Sequence, residues 1–329
     1  MGSERIEIGI ADGVAHVALD RPDKFNAMDK EMFAAIGDTF RTLGRDPQVR
    51  AILLSGKGKH FTAGLDLEYA SRQFPKSDDP GRAAEARLRH IEWLQDAFSA
   101  VEAARPPVVA AIQGGCIGAG VDLASACDLR VAGPGAFFQV AEVDVAITAD
   151  LGTLQRLGYL IPQGVLRELT YTGRRMGAEE AARYGLVNEI ADDPVGAGMA
   201  LARTIAAKSP LAVAGAKRSL NHSRGRPVEE GLRDVATWNA STLVSADLGE
   251  AIRARLAKAE ARFGPLDDPA IAWMDSCAMD DHPMIDSFWT GRRTLVRVTV
   301  PLRGTSRRLV HGLCRALEMG SLALRKMLS

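Results

Sequence analysis

The stretch Val108–Gly133, VVAAIQGGCIGAGVDLASACDLRVAG, decides the fold class. Val108 to Ile112 is a short apolar run that reads as a buried strand, and glycines end it. From Cys116 a glycine-rich turn opens a short helix with small residues on every side, and LRVAG leaves that helix as another strand. Small residues all round a helix imply close approach to neighbouring backbone. Strand, turn, helix and strand in this order point to α/β layering.

The same reading extends outward in both directions. IEIGIADGVAHVALD, from Ile6, alternates apolar and polar residues on either side of Asp12-Gly13 and predicts a two-stranded hairpin. RPDKFNAMD, from Arg21, breaks the strand; Met32, Ile36, Phe40 and Leu43 then repeat at helical spacing, and AILLS, from Ala51, is a further strand. KGKHFTAGLDL, from Lys57, is a glycine-containing loop, and a long helix is predicted from about Arg82 to Ala104, ended by Pro106-Pro107. After the central stretch come a short strand AFFQV, the acid-bearing segment AEVDVAITAD (Ala141–Asp150), and helices from about Thr153 and from Gly177.

Three regions follow from this pass: a catalytic core over 1–193, a helical region over 194–263 punctuated by Pro210 and Gly225-Arg226-Pro227, and an atypical basic extension over 264–329. Within it, the stretch from Arg292 to Lys326 sets eight arginines and a lysine against the single acid Glu318, and disorder is one reading of it.

Composition narrows the classes of function. The chain has 329 residues, 47% hydrophobic and 25% charged, with 41 basic and 41 acidic side chains, so nothing in its net charge attracts nucleic acid or an anionic membrane. No apolar run approaches the ~20 residues of a membrane span. The start, MGSERIEIGI, has no apolar core and leads into a strand pattern, so neither a signal nor a transit peptide is expected. Cys116, Cys127, Cys277 and Cys314 form no C-x-x-C pair, which argues for reduced thiols and a cytoplasmic location. The histidines are scattered, no metal site is expected, and no G-x-S-x-G elbow is present.

Two loops offer backbone N–H groups near helix starts: TAGLDL around Leu65 and IGAGVDL around Ala119. Such amides stabilise a phosphate or a developing oxyanion. SGKGKHFT lacks the phosphate-loop spacing and GAGVDL lacks the third glycine of the dinucleotide fingerprint, so a nucleotide site loses its support. Asp122, Glu142 and Asp150 each stand among apolar or small residues. Singly, each suits a cap or a solvated edge. Together, behind an oxyanion-type loop, they suggest a buried acid/base cluster whose pKa values are pushed apart by desolvation and mutual repulsion. Asp144, at strand-period spacing from Glu142, is read as a structural acid.

LDRPDKFNAMD, GKHFTAGLDL, AAIQGGCIGAGVDLASACDLRVA, LQRLGYLIP and EAARYGLVNEI resemble, in order and spacing, the signature segments of the crotonase (enoyl-CoA hydratase/isomerase) superfamily over roughly Ile6 to Phe263. The resemblance implies a crotonase-like spiral of ββα repeats with a helical C-terminal trimerisation region, assembled as a homotrimer or homohexamer. It implies an acyl-CoA thioester substrate, whose CoA is no separate cofactor, and a thioester enolate held by the amides matching Leu65 and Ala119. Lys258 matches a lysine that reaches the CoA phosphates, whereas Glu68 stands where some members carry a CoA-binding lysine.

The acids select the branch. Hydratases use two glutamates, matching Asp122 and Glu142, and are usually not acidic at Asp150; with acids at all three positions the sequence is closely similar to dienoyl-CoA isomerases. That branch implies conversion of 3,5-dienoyl-CoA to 2,4-dienoyl-CoA, with Asp150 as base at C2, Glu142 as acid at C6 and Asp122 tuning both. A hydratase using Asp122 and Glu142, and a non-catalytic acyl-CoA-binding protein, are the alternatives.

Overall fold

Asp12 and Gly13 both take positive φ, 51° and 77°, the turn geometry that matches the twist of paired strands, and they close β1 (Ile6–Ala11) onto β2 (Val14–Leu19) as the hairpin expected. The structure, a computed structural model, describes residues 4–72 and 77–266. α1 (Lys30–Arg45) begins where the Asp29 carboxylate accepts the Met32 amide at 2.9 Å, and it buries the predicted stripe Met32, Ile36, Phe40 and Leu43 together with Phe33.

β3 (Ala51–Gly56), α2 (Leu67–Arg72) and α3 (Pro80–Ala103) come next, followed by β4 (Val108–Ile112), β5 (Gly115–Ile117), α4 (Ala119–Ala126), β6 (Leu129–Ala132) and β7 (Phe137–Gln139). The chain then makes one helical turn, α5 (Thr153–Arg156). It continues through α6 (Gln163–Thr172), β8 (Arg175–Gly177), α7 (Ala178–Arg183) and β9 (Glu189–Ile190) into α8 (Pro194–Ala206), α9 (Pro210–Ser223), α10 (Val228–Thr242) and α11 (Ala246–Leu256).

The strands form two sheets, one in the order β1-β2-β3-β4-β6-β9, parallel except at the first hairpin, and a smaller one in the order β5-β7-β8. β4 and β5, and then β6 and β7, are consecutive strands that go to different sheets, and Thr62 after β3 bridges to Cys116 in the small one. Each turn of the chain thus adds one strand to each sheet, which is the ββα spiral implied by the resemblance.

The inner strands of the large sheet, β2, β3, β4 and β6, are buried on both faces, as parallel strands require. Ile52, Leu54, Val108, Ala110 and Ile112 enter the main core beneath α1, α3 and α4, while Leu53, Val109, Ala111 and Val131 pack against Ala202 and Ala206 of α8. Although α8 lies in the region read as purely helical, it is therefore one face of the sheet layer.

Some expectations change. The run from 194 is helical only to Leu256; Lys258, expected within the terminal helix, lies on the turn beyond it with φ +51°. The helix expected from Thr153 is a single turn, and α6, which was not anticipated, follows it. Glu142–Val145 is a 3-10 turn ending at Ala146 in the left-handed region, so the strand spacing of Glu142 and Asp144 does not put them on one face. Past Leu266 the basic extension lies outside the described residues.

Candidate active site

The loop that carries Leu65 is held by the segment before α1. Phe25 and Asn26 both adopt positive φ, 53° and 56°, and asparagine tolerates that region better than most residues. Its side chain is buried and fully used: Nδ2 donates to the carbonyls of Lys57, His60 and Phe61 at 2.9–3.1 Å, and Oδ1 accepts the Arg21 amide at 2.9 Å. Replacing it leaves several buried backbone groups unpaired, each costing ~1–3 kcal/mol. Asn26→Ala is therefore expected to lower stability by ~3 kcal/mol in chemical denaturation, with the slope of the transition unchanged.

Met28 pairs with the same loop as an isolated bridge. Its amide donates to the Gly64 carbonyl at 2.7 Å, and the Asp66 amide donates to its carbonyl at 3.0 Å. In a planar trans peptide C=O and N–H point opposite ways, so the Gly64–Leu65 peptide turns its N–H away from Met28. Among the described residues no acceptor takes the Leu65 N–H. Asp66 is fixed in turn by Arg21 Nη1 at 2.6 Å and caps α2 through the amides of Glu68 and Tyr69.

The second loop lies directly against the first. A Cβ on Gly64, whose φ is +85°, would stand 2.4 Å from the Ile117 carbonyl oxygen and 3.3 Å from the Ala119 nitrogen. Gly118, at φ 51° and ψ −119°, occupies backbone space reserved for glycine, and its carbonyl accepts the Val121 amide at 2.7 Å. The Ala119 N–H consequently points out of the start of α4, again without an acceptor among the described residues. Ala119 in place of glycine changes nothing about this donor, because the donor is main chain. Every residue of α4 is buried, and a Cβ on Gly120 would meet Thr62 Cγ2 at 2.5 Å, which explains the small residues. Two unspent amides therefore stand side by side.

The three acids converge beside them. Asp122, on the first turn of α4 and 1% exposed, accepts the Thr153 amide at 2.5 Å. Burial raises its carboxyl to about 6, against the opposing pull of the Thr153 bond and with a further push from Asp150. Glu142 is brought in by its 3-10 turn: Oε1 lies 3.4 Å from where a Cβ of Gly118 would stand, and Oε2 is buried with no hydrogen-bond partner among the described residues. Burial, reinforced by the charges of Asp122 and Asp150, pushes it up to about 7. Asp150 is half-buried, burial raises its pKa as well, and its carbonyl accepts Gln95 Nε2 of α3 at 2.6 Å. Asp122 and Glu142 thus both feel the charge of Asp150, and the three acids together can both accept and supply a proton near neutrality.

The remaining candidates stand elsewhere. Asp144 is exposed and meets the Gln139 side chain at 3.3 Å, as a structural acid. Lys258 is exposed on the turn past α11, which shares no extended packed face with α4 or α5. Glu68 pairs with Arg72 on α2. Asn26, Asp66, Gln95 and Thr153 carry the site geometry yet were not anticipated, since their partners lie 31–55 residues away in sequence. Only Asn26 left a local signal, an asparagine in a strand-breaking loop.

Among the described residues no group of three His, Cys, Asp or Glu side chains is placed to hold a metal ion, and no helix is long and apolar enough to cross a membrane.

The chain is similar to known proteins of one family. The profile of the enoyl-CoA hydratase/isomerase family matches residues 9–264. The chain is 43% identical over 259 residues to the peroxisomal delta(3,5)-delta(2,4)-dienoyl-CoA isomerase of Arabidopsis thaliana, covering 77% of this chain and 93% of that one. It is 44% identical over 247 residues to the mitochondrial protein of the same name from Homo sapiens, covering 73% and 75%. Among solved structures, a putative enoyl-CoA hydratase from Streptomyces coelicolor A3(2) superposes with a TM-score of 0.73 at 31% identity, covering 79% of this chain and 94% of that one.

Proposed function

The chain belongs to the enoyl-CoA hydratase/isomerase family and is an isomerase within it, and from that premise we propose that it converts 3,5-dienoyl-CoA into 2,4-dienoyl-CoA. The observation that carries this reading is the pairing of two unspent amides, Leu65 and Ala119, with two proton-transfer acids, Glu142 and Asp150, where a hydratase needs only the acids at 122 and 142.

The mechanism follows from those groups. The ionised Asp150 removes a proton from C2, and the electron pair moves into the thioester carbonyl, giving a conjugated enolate whose oxygen accepts from the Leu65 and Ala119 N–H groups. When the pair returns through the conjugated chain, C6 takes the proton of Glu142, leaving double bonds at C2 and C4. C2 and C6 are too far apart for one carboxyl to serve both. Glu142, raised to about 7, keeps its proton where an ordinary carboxyl would have lost it, and its unpartnered Oε2 makes that proton available. Burial is the main cause that keeps Glu142 protonated, and Asp122, held by Thr153, adds a neighbouring charge to it. No cofactor takes part, the CoA being a piece of the substrate.

The pH dependence follows with a definite sign. Activity needs Asp150 ionised and Glu142 protonated, so kcat/KM is expected to rise through the elevated pKa of Asp150 and to fall as Glu142 ionises at about 7. A profile still rising above about pH 8.5 would remove Glu142 from the role of acid.

The direct test assays the purified protein with 3,5-dienoyl-CoA and with 2-enoyl-CoA. Ultraviolet absorbance of a conjugated 2,4-diene is expected; water addition alone would instead support the hydratase using Asp122 and Glu142, and silence on both an acyl-CoA-binding protein.

A homotrimer, or a hexamer built from it, is part of this proposal. Val228, Leu232, Leu243, Val244 and Leu256 of α10, α11 and their link are 58–98% exposed, an apolar surface suited to a second copy. Lys258, adjacent to it, would then reach the CoA phosphates across a subunit boundary. Sedimentation is expected to give a mass of three or six chains, and a monomer at micromolar concentration would contradict it. The buried free thiols of Cys116 and Cys127 suit a reducing compartment such as the cytoplasm, although the named relatives are peroxisomal and mitochondrial. Cell fractionation decides between them.

A further inference from the structure

The Asp150 turn is held from outside the reacting centre, and Arg156 is one of the groups that hold it. Its side chain, only 13% exposed, spreads the guanidinium over three acceptors: Nη1 donates to the Leu151 carbonyl at 3.2 Å, Nη2 to Ser99 Oγ at 3.2 Å, and Nε to Glu102 Oε2 at 2.9 Å. Ser99 and Glu102 both belong to α3. Gly152 makes this possible, because at φ +130° a Cβ there would stand 1.8 Å from Arg156 Nη1. The side chains of Ala149 and Leu151 are buried in the main core, so these bonds add direction to a turn that packing already seats. On this side Asp150, Leu151 and Gly152 border a cavity of about 420 Å³ that Gln95, Ser99 and Glu102 also line.

We propose that Arg156 is a positioning residue for Asp150: its guanidinium fork ties the Leu151–Gly152 backbone to α3 and thereby sets the direction of the Asp150 carboxyl. The inference rests on the role given to Asp150 under the proposed function. Three successive anchors fix the turn, Gln95 on the Asp150 carbonyl, Arg156 on the Leu151 carbonyl and Asp122 on the Thr153 amide. Gln95 reaches the turn from α3 with one hydrogen bond, whereas Arg156 bonds the turn once and α3 twice through one rigid planar group. The charged groups around it are Glu102 on α3, Asp122 on α4, Asp150 on its own turn and Arg224 beyond α9, which pairs with the other oxygen of Glu102. Its positive charge also favours the ionised form of Asp122.

Two variants separate geometry from charge. Arg156→Lys keeps the charge and loses the fork, so kcat is expected to fall about 10-fold, with KM within about twofold and the acid limb of the kcat/KM profile unmoved. Arg156→Gln loses both; kcat is expected to fall ~100-fold, the scale of an ångström of misplacement, again with KM within about twofold. In both, amide exchange at Thr153 is expected to quicken by at least about 10-fold as the turn loosens. Wild-type kcat in either folded variant overturns the proposal, and Arg156→Lys decides alone should Arg156→Gln not fold. If the wild-type protein does not isomerise 3,5-dienoyl-CoA, the proposed function fails independently, and Thr153 exchange then decides: unchanged protection in both variants overturns the anchoring role.

Discussion

Asp150→Asn is expected to lower kcat on 3,5-dienoyl-CoA by about 10³-fold while leaving acyl-CoA binding within about twofold, because a positioned general base contributes ~10²–10⁴ and the amide cannot take a proton. The substitution is nearly isosteric, and the carbonyl that Gln95 anchors is main chain, so the turn should keep its place. The loss then falls on kcat rather than KM, as for a group acting only in the transition state. Asp144→Asn is the control: this acid is exposed, and its side chain accepts from Gln139, so activity should stay within about twofold. An Asp150→Asn protein of normal kcat would take the base role away from Asp150 and return the site to two working acids.

Gly64→Ala is expected to damage stability and chemistry together. At φ +85° an alanine is strained by ~1–3 kcal/mol, and its Cβ would meet the Ile117 carbonyl at 2.4 Å, a backbone atom that cannot rotate away. Relief requires moving the two amide loops apart. Stability should fall by ~3 kcal/mol, or about 6–12 °C in Tm for a domain of this size. Misaligning one oxyanion donor costs a further ~10²–10³ in kcat. Gly9→Ala provides the contrast, since no atom lies within 4 Å of a Cβ there and its φ is ordinary; its melting temperature should match that of the wild-type protein within error. Equal effects of the two substitutions would show that the contact between the loops does not govern the site.

Much of the fold was legible in the residues. The Asp12-Gly13 hairpin, the stripe of α1, the strands at 51 and 108, and the short all-buried helix after Gly118 are encoded by neighbours within a few residues, where period and turn chemistry act directly. The identities of Leu65, Ala119, Asp122, Glu142 and Asp150 as candidates were legible too, because acids among apolar residues and glycine-rich turns before helices are local features. AEVDVAITAD marks the limit of that kind of reading. Its alternation suits a strand edge as well as a cluster of acids, yet the chain there forms a 3-10 turn that sends Glu142 inward and leaves Asp144 outside.

The sequence by itself determined the family, the α/β class and which side chains could carry acid/base chemistry, since each of those depends on residue type and short spacing. Only the tertiary structure decided that the Leu65 and Ala119 amides lie side by side with their donors unspent, that Asp122 is tied to Thr153, and that Asn26, Gln95 and Arg156 hold the loops in place. The physical reason is separation along the chain. Apart from the short reach of Arg156 to Leu151, these partners meet across 31–57 residues through backbone paths set by the two sheets, and the pKa values that divide acid from base arise from the burial and mutual repulsion that such meetings create.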